Sequence, residues 1–271
     1  MGISLERLFI AIATHLLTIY FIYNSLYVDG AYWLLAVVFV LFQLQVFCIS
    51  TFLHKGVTHG VWRFKSKFLE RLFATYICMT GHTFPGAPLD WAVVHRLHHD
   101  HLDDDLDSHS PSKVGLFAAH FHLWKPAPTK ENIERKVYFD LLKNYRHLWI
   151  FSKYPKSIAF ALWSIIILIF GIEGLSILAA ASFIEFHGLG VIDAYSHTKK
   201  YETRSVPWYV WIIGFNDPEA MYHKEHHDHP YAYSFNPGWL DYTSRIMELF
   251  AKCGIVDIKG KKLNVLSKTK V

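Results

Sequence analysis

Four long apolar runs constrain this sequence more than any other feature. They cover about residues 8–28, 31–53, 157–170 and 175–192. Short breaks, at Asp29-Gly30 and at residues 171–174, separate the two members of each pair. A helix of about 20 apolar residues crosses the roughly 30 Å hydrocarbon core of a bilayer. The runs therefore predict an all-α integral membrane protein with four transmembrane helices arranged as two hairpins.

The positive charges all fall on one side of this topology. Of the 27 lysines and arginines, fourteen lie in residues 54–155 and eleven after residue 192, whereas the two short breaks contain none. Cytoplasmic loops are enriched in Lys and Arg. We therefore expect a multi-pass protein of the endoplasmic reticulum or a bacterial inner membrane, with both termini cytoplasmic. Residues 1–271 would form one domain whose helical cytoplasmic cap comprises residues 54–155 and 193–271.

The composition supports this class and argues against several others. Hydrophobic residues make up 52% of the chain and charged residues only 18%, whereas a soluble domain is nearer a quarter charged. This excludes a disordered chain or a nucleic-acid-binding tail, so we expect no nucleic acid partner. The three cysteines are far apart, which argues against both a disulfide framework and a thiolate metal site. Because a second span follows the first at once, we expect no removable signal peptide.

Two segments of the cap show apolar residues at helical spacing, residues 61–79 and 237–250. Both patterns predict amphipathic helices that lie in the membrane interface. In the first segment, Glu70 is expected on the polar face, opposite Phe68.

The histidines form clusters, and their spacing is informative. In the segments HRLHH at 95–99 and HKEHH at 223–227, the first histidine precedes the others by three and four residues. On a helix, those spacings place all three side chains on one face. His54 and His59 are five residues apart at the end of the second span, so His59 is expected just past the helix end. Asp193 and His197, four residues apart, form a fourth candidate ligand segment.

Nine clustered imidazoles are too many for one ion, and they suit two metals with four or five nitrogen ligands each. Imidazole binds zinc, copper, iron or nickel, so the ligand type leaves the metal open. Nitrogen ligands without thiolates at a membrane surface suit oxygen chemistry at iron better than structural zinc. A membrane metal transporter or sensor is the alternative from another class. It would need ionisable residues along a pathway near the bilayer midplane, whereas these clusters lie at span ends and in loops.

These segments resemble the histidine boxes of the integral-membrane fatty acid desaturases, specifically the stearoyl-CoA (Δ9) desaturase branch. The matching segments are HKGVTH at 54–59, HRLHH at 95–99, DAYSH at 193–197 and HKEHH at 223–227. They keep the family's order and its relation to the four spans. The similarity covers about residues 30–250.

The resemblance implies a di-iron centre of two Fe2+ ions. Its histidine ligands would be His54, His59, His95, His98, His99, His197, His223, His226 and His227. Asp193 stands where the family usually has Asn, so it would hold a metal-bound water or ligate directly. Asp107, in the segment that replaces the family's Asp-Pro-His, is the best candidate to accept a hydrogen bond from a ligand imidazole. No catalytic residue is expected beyond the metal centre.

The resemblance also implies an oxidoreductase of lipid metabolism that reduces O2 to water. It would insert a double bond, of the Δ9 type, into a long-chain acyl-CoA or acyl-lipid. External electrons would come from a separate donor such as cytochrome b5 or ferredoxin, because the chain contains no haem-binding His-Pro-Gly-Gly segment. A related di-iron hydroxylase or ketolase acting on a fatty acid, sterol or carotenoid is the alternative, since the same oxidant would serve both reactions.

Three residues are candidates for contacts with the acyl chain. Trp91, four residues before the second box, resembles a family tryptophan that lines the bend of the acyl channel. Val46 and Phe42 precede His54 on roughly one helix face, and at 1.5 Å per residue Phe42 is about 18 Å deeper. Phe42 is therefore a candidate floor for the acyl tail. In the alternative interpretation, Phe42 faces lipid and Trp91 is an interfacial aromatic residue.

Overall fold

The computed structural model is mostly helical, as predicted, and it describes residues 3–80, 88–108, 110–125, 131–197, 222–235 and 241–263. Its α-helices are α1 (Leu5–Tyr20), α2 (Leu34–Val46), α3 (Lys67–Thr80), α4 (Pro88–Asp100), α5 (Pro111–Val114), α6 (Leu116–His120), α7 (Glu131–Tyr145), α8 (Trp149–Lys153), α9 (Pro155–Ser196), α10 (His223–Asp228) and α11 (Tyr242–Lys252). The π-helical segments Phe21–Val28 and Phe47–Thr58 continue α1 and α2, and a 3₁₀ turn covers Arg146–Leu148.

Four short strands supplement the helices. They are β1 (Trp62–Phe64), β2 (Ala232–Ser234), β3 (Val256–Ile258) and β4 (Lys261–Lys262). The strand β1 pairs with β3 in antiparallel orientation, and β2 pairs with β4 in parallel orientation. The β1–β3 pair attaches residues 256–258 to the segment that follows the helix Leu34–Thr58, whereas the β2–β4 pair joins two segments of the C-terminal part.

Within the described residues, three helices are long and apolar enough to cross a membrane: Leu5–Val28, Leu34–Thr58 and Pro155–Ser196. The first two correspond to the predicted spans at residues 8–28 and 31–53. The predicted third and fourth spans both lie within α9, which is 42 residues long.

The helix α9 is interrupted at Gly171, inside the predicted break. This glycine has φ 67° and ψ −167°, a conformation that residues with a Cβ rarely adopt. A Cβ on Gly174 would lie 3.1 Å from the side chain of Ile166. Eight residues of straight helix would separate those positions by about 12 Å, so the chain bends sharply here.

Contacts with α1 follow both parts of α9. Near the start of α1, Glu6 pairs with Lys156 at 2.7 Å, and at its end the hydroxyl of Tyr20 donates to Glu173 at 2.9 Å. The first part of α9 therefore runs alongside α1 in the same direction. The second part contacts α1 as well, where Nε2 of His187 lies 3.1 Å from Nε2 of His15.

The predicted interfacial helix at residues 61–79 is partly wrong. The helix α3 begins only at Lys67, because residues 62–64 bury Trp62 and Phe64 by pairing with β3. Phe68 is exposed, as an apolar residue facing the membrane interface would be, but Glu70 is buried where the pattern predicted a solvated polar face. The second such helix, predicted at residues 237–250, begins at Tyr242 as α11. Residues 237–240 of that prediction lie outside the described residues.

Glu70 is buried because it forms a pair with His147 of the 3₁₀ turn. Its Oε2 lies 2.5 Å from Nε2 of His147, and the two side chains are only 1% and 7% exposed. Burial raises the pKa of Glu70 to about 7, opposed by Arg63, and burial lowers the pKa of His147 to about 4. At a pH between these two values, the carboxyl group is therefore protonated and the imidazole beside it is neutral.

We expect Glu70→Gln to make the protein sensitive to acid between pH 6.5 and 4. In the wild type, folding transfers one proton from the imidazole to the carboxyl group, so the pair binds nearly the same number of protons in both states. In the variant only His147 titrates, with a lowered folded-state pKa. Its unfolded state then binds more protons below pH 6.5, and the free energy of unfolding falls with the pH. Thermal melting in detergent from pH 7.5 to 4.5 measures this, and parallel curves for both proteins would contradict it.

Candidate metal centre

The end of the second membrane helix positions His54 and His59. The π-helical segment Phe47–Thr58 contains His54, and His59 follows its last residue. A spacing of five residues would separate the two side chains on an α-helix, which has 3.6 residues per turn. The wider π-helical turn lets the N–H of His59 donate to the carbonyl of His54 at 3.1 Å. The two rings therefore lie only 5.0 Å apart.

The other seven candidate ligands come from three helices. The helix α4 carries His95, His98 and His99, and α10 carries His223, His226 and His227. His197 is the residue that follows α9. The helical spacing of the boxes is thus observed in both α4 and α10.

Five of the imidazoles form a first group, which we call group A. Its members are His54, His59, His95, His99 and His226, and one ring nitrogen of each lies within 4.8 Å of the others. Nε2 of His226 is 3.0 Å from Nε2 of His54 and 3.1 Å from Nε2 of His99. Nitrogens bound at about 2.1 Å to one ion lie about 3.0 Å apart when adjacent in an octahedron and about 4.2 Å apart when opposite. Group A therefore has the donors and spacing to hold one ion and leave a coordination position open.

The second group, group B, lies beside the first. His98, His197 and His227 each place a ring nitrogen within 4.8 Å of the others. Nε2 of His223 lies 2.7 Å from Nε2 of His197, which adds a fourth imidazole. The ring of His99 in group A stacks on His227 in group B with centroids 4.2 Å apart. The structure thus brings all nine histidines together as two adjacent groups.

Burial keeps these imidazoles in the form that binds metals. Burial lowers the pKa of His59, His95, His226 and His227 well below its usual value, and the charged forms of neighbouring histidines lower it further. The rings are therefore neutral at physiological pH. A neutral imidazole has a nitrogen lone pair for a metal ion.

Asp107 orients one member of group B. Its Oδ2 accepts a hydrogen bond from Nδ1 of His98 at 2.9 Å and another from the backbone N–H of Asp103 at 2.9 Å. Asp107 is fully buried, and Asp103 is buried as well. With Nδ1–H donated to the carboxylate, His98 presents its Nε2 to group B.

We expect Asp107→Asn to weaken metal binding by about 10–100-fold, because hydrogen-bond partners of ligand histidines typically contribute that much. A neutral amide accepts the Nδ1–H bond more weakly and makes the imidazole less basic. Competition with a calibrated chelator measures the affinity. Asp105→Asn is the matched control, since the Asp105 side chain is fully exposed. Equal affinities for the two variants would contradict this prediction.

Two other predicted site residues, Trp91 and Asp193, differ in their relation to the groups. Trp91 stacks on His95, with centroids 4.8 Å apart and the rings nearly parallel. Among the residues that the structure describes, Asp193 belongs to neither group. Its carboxylate lies 3.5 Å from Nδ1 of His122 instead.

The candidate acyl-chain residues Phe42 and Val46 lie deeper, in a hydrophobic cluster between α2 and α9. Both are buried, and the cluster includes Ala180 and Ala181 of α9. Phe42 therefore packs against protein, and the interpretation that it faces lipid is wrong.

A chain of three further histidines is a feature that the sequence did not reveal. His187 uses both ring nitrogens: Nε2 lies 3.1 Å from Nε2 of His15, and Nδ1 lies 3.0 Å from Nε2 of His120. Nδ1 of His15 donates to the carbonyl of Ala11 at 2.6 Å. Metal ligands each direct one nitrogen towards a common point. These three imidazoles instead form a linear row, which joins α1, α9 and α6 by hydrogen bonds. The spacing of these three residues carries no helical signal that could have linked them.

Comparison with known proteins identifies relatives of one kind. No protein-family model matches the chain. The Delta-9 desaturase-like 2 protein of Arabidopsis thaliana is 24% identical over 225 residues, which cover 80% of this chain and 73% of that protein. Delta-9 acyl-lipid desaturase 2 of the same plant is 23% identical over 198 residues, or 70% and 62% of the two chains. The acyl-CoA C20 Delta5-desaturase of Anemone leveillei is 26% identical over 238 residues, or 79% and 70%.

These relatives confirm the resemblance that the histidine segments indicated. The chain is related to the membrane fatty acid desaturases, and it is an enzyme of the oxidoreductase class. The names of the relatives differ in double-bond position and in acyl carrier, so both properties vary among proteins at this level of similarity.

Proposed function

We propose that this protein is an O2-dependent membrane fatty acyl desaturase that introduces a double bond of the Δ9 type into a long acyl chain carried by CoA or by a lipid. The adjacency of groups A and B, at the ends of helices long enough to cross a membrane, is the observation that supports it most directly. Two neighbouring sites of nitrogen ligands suit a dinuclear iron centre, and a bilayer surface is where an acyl chain is accessible.

The nine histidines would hold two Fe2+ ions, one in each group. Bound iron supplies, together with O2, the oxidant that removes hydrogens from an unactivated methylene pair, which no side chain can do. The contribution of the protein is to keep the imidazoles neutral by burial and to hold His98 through Asp107. Asp193 would act through a bound water, because it belongs to neither group among the described residues.

The acyl chain would descend from the metal centre between α2 and the second part of α9. Trp91 stacks on His95 and would turn the chain at the metals. Below it, Phe42 and Val46 pack in one buried cluster with the small residues Ala180 and Ala181, and the alkyl chain would run along this cluster with Phe42 as its floor. This arrangement would present one pair of methylenes to the metals and exclude water from them.

Expression in a desaturase-deficient host tests the activity. Cells that express the wild-type chain should accumulate monounsaturated acyl chains, with the double bond at carbon 9 in mass spectra of derivatised lipids. Cells that express His98→Ala should not, at equal protein level. Hydroxylated or oxo products in place of alkenes would replace the proposal with a hydroxylase or ketolase.

We also propose four spans in two hairpins, with both termini and one cap of residues 54–155 and 193–271 in the cytoplasm. The bend at Gly171 and the one-sided lysines and arginines support this topology.

Single-cysteine labels test the topology. We expect labels at Asp29 and at Glu173 to react with an impermeant reagent from the non-cytoplasmic side, and a label at Lys252 to react only from the cytoplasm. The background variant lacks the exposed native Cys253. A label at residue 173 that reacts from the cytoplasm would exclude the second hairpin.

A further inference from the structure

One exposed aromatic ring touches the candidate metal centre from the side of the cap. Tyr231 is 70% exposed, and its ring meets that of His59 edge-on with centroids 6.5 Å apart. His59 belongs to group A and is buried. Tyr231 thus connects a candidate metal ligand directly to the protein surface.

This surface lies at the end of the second long apolar helix. His59 is the first residue beyond the helix Leu34–Thr58, so Tyr231 lies past the end of that span. The proposed acyl pocket extends the other way, towards Phe42. A substrate from the bilayer and a partner from the aqueous phase could therefore reach the centre at the same time.

Two lysines lie near the backbone of Tyr231. The backbone N–H of Lys261 donates to the carbonyl of Tyr231 at 3.2 Å, and that of Lys259 donates to the carbonyl of Val61 at 2.8 Å. Both side chains are exposed, and neither forms an ion pair with any residue that the structure describes. Their neighbour Lys262, in contrast, pairs with Glu248 at 2.7 Å.

The backbone around these residues is held by two strand pairs. The strand β2 follows Tyr231 directly and pairs with β4, which contains Lys261. The strand β3 ends just before Lys259 and pairs with β1. The backbone positions of Tyr231, Lys259 and Lys261 are therefore fixed relative to one another, which lowers the entropy cost of docking.

We propose that Tyr231, Lys259 and Lys261 form the docking surface for an acidic one-electron donor protein, and that electrons enter the metal centre through Tyr231 and His59. This rests on the proposed desaturase function. There, O2, two methylene hydrogens, two protons and two electrons yield an alkene and two waters, so a one-electron donor must dock twice per turnover. Unpaired lysines select an acidic partner and accelerate its encounter.

Stopped-flow reduction of the oxidised protein, loaded with Fe3+ in nanodiscs, tests the proposal. The probes are the reduced haem domain of a cytochrome b5 and a reduced plant-type ferredoxin. For Lys259→Glu/Lys261→Glu, we expect the bimolecular rate constant with the faster donor to fall about 10-fold or more at low ionic strength, the range that electrostatic steering covers. The difference should shrink at high salt, where the Debye length is about 3 Å.

The matched control is Lys136→Glu/Lys143→Glu, which makes the same charge change on two exposed lysines of α7. It should keep the wild-type rate constant. Tyr231→Ala should slow reduction even at saturating donor, whereas Tyr231→Phe should restore it, because the aromatic ring is the required feature. Equal rate constants for both double variants, or a slower rate only in the α7 variant, would overturn the proposal.

A chemical reductant separates this proposal from the proposed function. Wild-type protein reduced by dithionite and mixed with O2 and acyl substrate should form the alkene without any donor protein. If it does not, the desaturase function fails. If it does, and the Tyr231 and lysine variants are reduced by donor as fast as the wild type, only the docking surface is wrong.

Discussion

His226→Ala is expected to lower the iron content from two ions per chain to one or none and to abolish alkene formation. His226 is fully buried in α10, and its Nε2 lies 3.0 Å from His54 and 3.1 Å from His99. Removing its imidazole opens the middle of group A, so the loss should exceed the ~10–100-fold typical of an outer hydrogen-bond partner. The protein should still insert, because α10 is a six-residue helix outside the long apolar helices.

Elemental analysis of protein purified without chelators measures the iron, and mass spectrometry of lipids measures the products. His229→Ala is the matched control: this histidine is exposed, lies three residues further along the chain and belongs to neither group. It should retain two irons and full turnover. Two irons in His226→Ala, or one or none in the wild type, would contradict the dinuclear site.

The parts of the site that follow from local rules could be predicted from the sequence. The spacing of three and four residues in HRLHH and HKEHH requires only a helix to align its side chains, and α4 and α10 provide it. Similarly, the apolar runs at residues 8–28 and 31–53 are long enough to indicate spans by themselves. Each of these predictions depends on a single element and on no distant partner.

The features that sequence reasoning missed depend on tertiary partners. The segment 62–64 has apolar residues that suit a helix, but pairing with β3, almost two hundred residues later, makes it a strand. The polar Glu70 is buried because His147 arrives from a distant turn. The contact of His187 with His15 and His120 joins three separate helices, so no spacing along the chain encodes it.

The first histidine box shows a third kind of difference, in helix geometry. His54 and His59 would diverge on an α-helix, and their contact depends on the π-helical winding of Phe47–Thr58. Periodicity alone cannot signal that winding, because the sequence pattern is read against an assumed turn of 3.6 residues. Such local changes of helix type recur at functional sites, where they redirect side chains.

Replacing Phe42 by alanine is expected to shift the products towards longer acyl chains. Phe42 is only 4% exposed and packs near Ala180 and Ala181, so its truncation opens space at the bottom of the proposed acyl pocket. Each additional methylene buried there contributes about 0.8 kcal/mol, or about a fourfold preference. The double bond should keep its position relative to the head group, since the metals and the head group are unchanged. Competition between saturated acyl substrates of different lengths, with products resolved by mass spectrometry, measures the shift.

The control and a second variant keep this test decisive. Phe39→Ala makes the same substitution one turn earlier on α2, where the side chain is 49% exposed, and it should leave the chain-length profile unchanged. Truncation of a buried phenylalanine costs about 3–5 kcal/mol of stability. Phe42→Leu, which removes less volume, therefore provides a smaller shift in the same direction if the alanine variant does not accumulate. Identical chain-length profiles for the wild type, Phe42→Leu and Phe39→Ala, at comparable expression, would exclude Phe42 as the floor. If the Phe42 ring stops the acyl tail, even a partial truncation of that ring must admit a longer tail.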